Sequence, residues 1–321
     1  MDQGGFGATE KFAVSTSYGS GSLQLNFAGS LTRLMSGQAI SDMADEKTYG
    51  YGGPGTGEES QQGRTTRFNL WVKGNLAKSK LDGNEQGFGT FHLGADYRVT
   101  PDLMVGTLVQ FDWADESNAA AATSASGTGW LAGPYAVYRL HENVVVDGYV
   151  AYGQSDNKVS PFGTYTDSFD TNRFLARGQI TGDFDYAGWT IAPQLAASYL
   201  LETQEAYVDS NGVSIPEQDI EVGQLTFGPS FRKSHVLDND IVLTPSLAVK
   251  GIWNFKSAGT ANVTTGALSG SAQDKLRARL ELGVGAKFND NFRLTSSGYV
   301  DGLGQDGYSG YGGTLGLHLR F

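Results

Sequence analysis

From about Thr65 to Phe321 the chain alternates apolar and polar residues with period two, the spacing of a strand whose two faces meet different surroundings. In Phe91–Val99 one face reads Phe91, Leu93, Ala95, Tyr97 and Val99, and the other His92, Gly94, Asp96 and Arg98. Leu276–Phe288 places Leu276, Ala278, Leu280, Leu282, Val284, Ala286 and Phe288 opposite Arg277, Arg279, Glu281, Gly283, Gly285 and Lys287. Ile241–Phe255 sets Leu243, Leu247, Val249, Trp253 and Phe255 against Thr244, Ser246, Lys250 and Asn254. The final segment sets Tyr311, Leu315, Leu317, Leu319 and Phe321 against Thr314, His318 and Arg320. With Gly, Asn, Asp and Pro as punctuation, the pattern predicts twelve strands: 66–81, 86–99, 103–113, 127–140, 144–156, 170–183, 189–203, 218–233, 241–256, 273–288, 292–302 and 308–321. The fold class is all-β.

A soluble sandwich also alternates, so the choice between water and lipid on the apolar side rests on strand length and connections. Several segments are longer than the usual ~5–6 residues of globular strands and suit a tilted crossing of a bilayer. Every second connection is short: Thr100–Asp102, His141–Asn143, Asp185–Gly188, Leu237–Asp240 and Asn289–Asn291. Most of the others are longer and poor in apolar residues, at 114–126, 157–169, 204–217 and 257–272, while 82–85 and 303–307 are short for that side. Short turns on one side and long loops on the other are the habit of outer-membrane barrels, and an even strand count puts both barrel ends on the short-turn side. Trp71, Trp113, Trp130, Trp189 and Trp253 fall near expected strand ends, where interfacial aromatic girdles form. The expected fold is therefore a 12-stranded antiparallel transmembrane β-barrel.

Composition narrows the function. The 321 residues contain 45 Gly and no Cys, which removes disulfide scaffolds, thiol catalysis and Cys-ligated zinc. A formal charge of −11 argues against nucleic acid as a partner. No apolar run approaches the ~18 residues of a spanning helix, and a mean hydropathy of −0.28 is compatible with a barrel whose inner face is polar. Residues 1–64 differ from the rest: they are rich in Gly, Ser and Gln and end in the linker-like stretch Gly50–Gly63. The first residues, MDQGGFGATEKF, lack the charged and apolar regions of a secretion signal, so the expectation is a processed leader or the end of a longer chain.

The runs GADYRVTPDLMVG (94–106), GPYAVYRLHENVVVDGYVAYGQSDN (133–157) and YGGTLGLHLRF (311–321) resemble the C-terminal translocator barrel of autotransporters, the type V secretion system of Gram-negative bacteria. The resemblance covers about 65–321 and implies twelve strands, a bacterial outer-membrane location, and export or display of an N-terminal passenger at the cell surface. It also implies a helical segment in the pore just before the first strand. Here that position is 20–43, where Phe27, Leu31, Leu34 and Met35 follow helical spacing, with Arg33 off the stripe and Gly29 and Gly37 weakening the helix. The division is thus 1–64 as linker with pore helix and 65–321 as barrel. About 64 residues upstream are too few for the usual passenger. Some members of the family cut the passenger inside the pore with a lumenal acid and an Asn; Asn26 lies in that zone, and no motif establishes the activity.

The terminal aromatic with alternate apolar residues, Tyr311, Leu315, Leu317, Leu319 and Phe321, resembles the signal read by the barrel-assembly machinery, a free edge open to β-augmentation. Asp96, Arg98, Asp112, Asp147, Arg177, Arg277, Arg279, Glu281 and Lys287 are expected to face a wet lumen, either holding a passing chain through contacts that break easily or stiffening the wall as a cross-strand ladder. Catalytic motifs are missing: there is no G-x-S-x-G or H-E-x-x-H, and Gly50–Gly55 matches G-x-G-x-x-G outside any strand–helix context. No cofactor, metal or enzymatic activity is expected. The expected partners are outer-membrane lipid and lipopolysaccharide, the assembly machinery and the chain's own N-terminal passenger, with the barrel a monomer. The alternative is a porin-like or adhesin-like barrel without a passenger.

Overall fold

The computed structural model describes residues 67–81, 84–119, 122–160, 163–260, 276–305 and 308–321. The segment 20–43, with Phe27, Leu31, Arg33, Leu34 and Met35, lies outside them. Among the described residues sixteen strands occur in chain order: β1 (Phe68–Leu81), β2 (Asn84–Arg98), β3 (Leu103–Asn118), β4 (Thr123–His141), β5 (Val144–Ser160), β6 (Asp167–Gly182), β7 (Phe184–Tyr186), β8 (Trp189–Gln204), β9 (Tyr207–Val208), β10 (Ser214–Ile215), β11 (Gln218–Arg232), β12 (His235–Val236), β13 (Val242–Thr260), β14 (Arg277–Lys287), β15 (Phe292–Leu303) and β16 (Tyr308–Arg320). Twelve of them are long, β1–β6, β8, β11 and β13–β16, and each pairs antiparallel with the next. The ring closes where β16 runs alongside β1, from Asn69 opposite Arg320 to Leu81 opposite Tyr308. Closure pairs the outermost strands, so the barrel has no free sheet edge.

The two faces separate as the alternation requires. Phe91, Leu93, Phe111, Val150, Val249, Leu282 and Leu315 are exposed on the outside, while Asp96, Asp112, Asp147, Lys250, Arg277 and Arg279 are buried inside. Glycine slots in the inner wall admit aromatic rings. Trp71 lies across Gly94, its partner on β2, and Tyr135 lies across Gly106, its partner on β3. A Cβ at Gly94 would sit 2.1 Å from the Trp71 ring, and one at Gly106 would sit 2.5 Å from Tyr135. Any larger residue there displaces the ring.

Three features differ from the sequence reading. Strands β3–β6 run further from the end where β1 begins and β16 finishes than their alternation indicates: Asn118 still pairs with Thr123, and Val159 with Asp167. The connections expected at 114–126 and 157–169 shrink to 119–122 and 161–166, because backbone pairing continues beyond the lipid, where the outer face no longer demands an apolar residue at every second position. The 204–217 connection is a folded hairpin, β9 against β10. Trp71 is 2% exposed inside the barrel, not in an outer girdle, whereas Trp113, Trp130, Trp189 and Trp253 are exposed on the outside.

Candidate functional site

The lumen is the site, and it is two-sided. On the half formed by β1–β6, β8 and β11, inward residues build an apolar cluster that includes Trp71, Met104, Leu108, Leu131, Tyr149 and Leu175. These residues share strand parity with the lumenal charges, so this half is packed, not simply wet. Across it runs a buried tie. Arg173 on β6 reaches Asp112 on β3 over two intervening strands, with Nη1–Oδ1 and Nη2–Oδ2 both at 2.9 Å. The reach is possible because the strands in between present Gly129 and Gly153; a Cβ on Gly129 would lie 2.0 Å from Nη2. Arg173 Nη2 also donates to the carbonyls of Trp130 and Gln154, each at 3.2 Å.

This tie continues in both directions. Gln110 donates to Asp112 at 3.4 Å and contacts His92 Nε2 at 2.8 Å. On the far side Glu202 accepts from Thr171 at 2.5 Å and Ser155 at 3.1 Å. A band of polar groups thus crosses β2, β3, β5, β6 and β8 at one level. Nearer the end where β1 begins and β16 finishes, Asp96 accepts from Asn69 at 2.5 Å and from the Tyr135 hydroxyl at 2.6 Å, while Trp71 Nε1 donates to that hydroxyl at 2.8 Å. Inside a low-dielectric wall such shared networks fix geometry strongly, because leaving one group unpaired is costly.

The other half, β11 and β13–β16, is different in kind. A polar cavity there is lined by Ser230, Ser246, Gly283, Thr295, Ser297 and Thr314, with Arg232, Lys250 and Arg293 among its charges. Lys250 meets Glu281 at 3.1 Å. Toward the loop end, Asp301 binds Arg277 Nε at 3.2 Å and Arg279 Nη2 at 2.7 Å, and the Arg279 guanidinium stacks 4.3 Å from the Tyr299 ring centroid. Small hydroxyls and glycines leave room along this wall, whereas large apolar groups occupy the opposite one.

At the loop end the β9–β10 hairpin turns inward over the rim. Ile215, 1% exposed, packs with Ala125, Val159 and Phe169 from the inner faces of β4, β5 and β6, joined by Tyr207 and Val213. The Phe169 and Tyr207 rings stack with centroids 5.4 Å apart at 18°. Asp167 accepts from Ser210 N at 2.8 Å and from its hydroxyl. The turn is held by Asp209 Oδ1, which accepts from Asn211 N at 2.9 Å and Val213 N at 2.7 Å, with Gly212 at φ +80° where a side chain would be strained.

Of the charges singled out from sequence, Asp96, Asp112, Asp147, Arg277 and Arg279 are buried inside, and Asp112 and the two arginines are held in ion pairs. Arg177 lies on the inner parity of β6 and donates to Gln179 at 2.9 Å. Arg98 is half-buried on the inner parity of β2. Glu281 pairs with Lys250, and Lys287 sits at the rim against Asp290 at 2.7 Å. The sequence reading passed over Asp301, Glu202, Lys73 and Tyr135; the alternation within each one's own strand was the available signal. The residues of the terminal strand, Tyr311, Leu315, Leu317 and Leu319, lie opposite Lys78, Gly74, Val72 and Leu70 of β1, and Phe321 N donates to Phe68 O at 3.1 Å. Among the described residues no cluster of three or more His, Asp or Glu could hold a metal ion.

A family model described as the autotransporter beta-domain matches residues 70–298. No protein of curated function matches the chain. Among solved structures, the fold is similar to the β domain of the Bordetella autotransporter BrkA, with a TM-score of 0.65 at 17% identity, covering 79% of this chain and 100% of that one. It is similar to the translocator domain of NalP from Neisseria meningitidis, with a TM-score of 0.63 at 14% identity over 92% and 96% of the two chains. The transport unit of AIDA-I from Escherichia coli gives a TM-score of 0.57 at 15% identity over 88% and 98%.

Proposed function

This chain belongs to the autotransporter β-domain family, and from that premise we propose that its N-terminal segment occupies the lumen of the barrel that exports it. The barrel is an outer-membrane translocator. In our reading residues 20–43 thread the polar side of the lumen, with Phe27, Leu31, Leu34 and Met35 on one stripe and Arg33 off it, and what lies N-terminal to them is exported or displayed.

The observation that supports this is the two-sidedness of the lumen. A translocating chain needs contacts that form and break readily. The wall of Ser230, Ser246, Thr295 and Ser297 offers such contacts, while the opposite wall is locked by the Arg173–Asp112 tie and its apolar packing. Strong apolar binding along the path would stall transit. Asp96, Arg98, Asp112, Asp147, Arg177, Arg277, Arg279, Glu281 and Lys287 act in this scheme as wall and guide.

Assembly follows from the last strand. Tyr311, Leu315, Leu317, Leu319 and Phe321 form the signal captured by the barrel-assembly machinery before β16 closes on β1. Lipid and lipopolysaccharide surround the finished barrel, which in this reading works as a monomer; closure removes edge pairing as a route to association.

The test uses the absence of native cysteine. Leu31→Cys combined with Ser297→Cys is expected to cross-link under mild oxidation in membranes, and deletion of residues 1–45 is expected to raise single-channel conductance. Failure of the cross-link together with unchanged conductance removes the segment from the lumen.

A further inference from the structure

We propose that the 205–217 hairpin is a latch on the outer mouth of the barrel, closed in the structure and swung outward while a chain passes. The inference rests on the reading of the barrel as an export channel, because that reading makes the loop end the outer mouth.

The hairpin is built to dock inward. It leaves the wall between β8 and β11, yet its apolar side chains cross the rim to sit on β4, β5 and β6, where Ala125, Val159 and Phe169 point into the lumen. Those three residues interrupt a polar level: directly below them Ser155, Thr171 and Glu202 are hydrogen-bonded. An apolar cup at the mouth of a polar lumen has no use in passing a hydrated chain, but it gives a loop a seat. Ile215 fills that seat and Tyr207 stacks on Phe169.

The seat is also made to release. Polar attachment beyond the hairpin's own turn is small: Asp167 holds the Ser210 amide and hydroxyl, Glu205 N donates to the Asp170 carbonyl at 3.2 Å, and Asn172 donates to Glu205 at 3.0 Å. The Tyr207 hydroxyl is buried with no hydrogen-bond partner among the described residues, which lowers the free-energy gain of docking. The hairpin's two strands pair only with each other, so it can move without breaking the barrel ladder. A compact unit with its own turn and a modest seat is what a reversible closure requires.

The experiment is a reversible staple in the full chain. Ile215→Cys with Val159→Cys, neighbours in the cluster, is oxidised in membranes and compared with each single variant; heat-modifiable migration on gels reports that the barrel is folded. Expected for the oxidised pair are unchanged or lower conductance and a severalfold loss of surface display of an epitope placed in residues 1–20, both restored by reductant. Ile215→Asp is expected to raise conductance severalfold. If Ile215→Asp leaves conductance unchanged in a folded barrel, or the staple leaves both display and conductance as they were under reduction, the latch is wrong. If conductance responds to both manipulations while display never occurs in any variant, the latch stands and the export reading fails.

Discussion

Arg173 and Asp112, 61 residues apart in sequence, meet through two 2.9 Å contacts across β4 and β5, over the glycines that those strands supply at the crossing point. Both side chains are at most 5% exposed. Removing one partner leaves a buried uncompensated charge, which costs about 3–5 kcal/mol, whereas replacing both with apolar groups is close to neutral. Asp112→Ala should therefore lower barrel stability by about that amount, and Asp112→Leu with Arg173→Leu should recover most of it. Urea unfolding in detergent, followed by heat-modifiable migration, measures the difference.

Gly129 tests the geometry of the same tie from the outside. A Cβ there would lie 2.0 Å from Arg173 Nη2, the nearest group, and 2.9 Å from the Gln154 carbonyl oxygen. Gly129→Val should destabilise by about 1–3 kcal/mol through overpacking. In the Asp112→Leu, Arg173→Leu background the penalty should shrink, since the obstructing group is gone; an unchanged penalty counts against the tie.

Tyr135→Phe removes one hydroxyl that accepts from Trp71 and donates to Asp96. The ring still fits its slot over Gly106, so the loss is polar and should be about 1–3 kcal/mol. Trp71 fluorescence should respond as well, because its indole N–H loses its acceptor. A variant as stable as the parent with identical emission would contradict the network.

The hairpin carries a pH dependence whose sign can be stated. Burial first, then the nearby Asp167 and Asp209 carboxylates, push the Tyr207 phenol above its ordinary range, so the docked form prefers the neutral ring. Docking is at full strength below the ordinary tyrosine value of about 10 and weakens as pH rises beyond it. Protease cleavage within 205–217 should stay level up to about pH 10 and rise as pH increases beyond it. Tyr207→Phe should abolish that step while leaving the hairpin docked.

The terminal strand separates assembly from stability. Phe321 is 58% exposed, and its backbone N–H donates to the Phe68 carbonyl. Phe321→Ser should reduce the fraction inserted in cells severalfold and change the unfolding free energy of the refolded barrel by less than about 0.5 kcal/mol. Equal losses in both measurements would make the residue structural only.

Much of the barrel was legible in the chain. Phe91, Leu93 and Tyr97 face out and His92 and Asp96 face in as period two demands, because hydrocarbon outside leaves no tolerance for a slip of one residue. Beyond the membrane that constraint ends, which is why the outer reaches of β3–β6 read as loops. Trp71 was assigned by its residue type to a girdle; its place inside depends on Gly94 in the next strand, and only the register supplies that.

The sequence alone determined the strand count, the two faces and the side on which the ends emerge, since each follows from local alternation against a medium of one polarity. The tertiary structure decided what happens across the lumen: which half is packed, which half is hydroxylated, which charges pair, and that 205–217 folds inward. Those are contacts between residues far apart along the chain, and no local period records which strand lies opposite which once the sheet has closed.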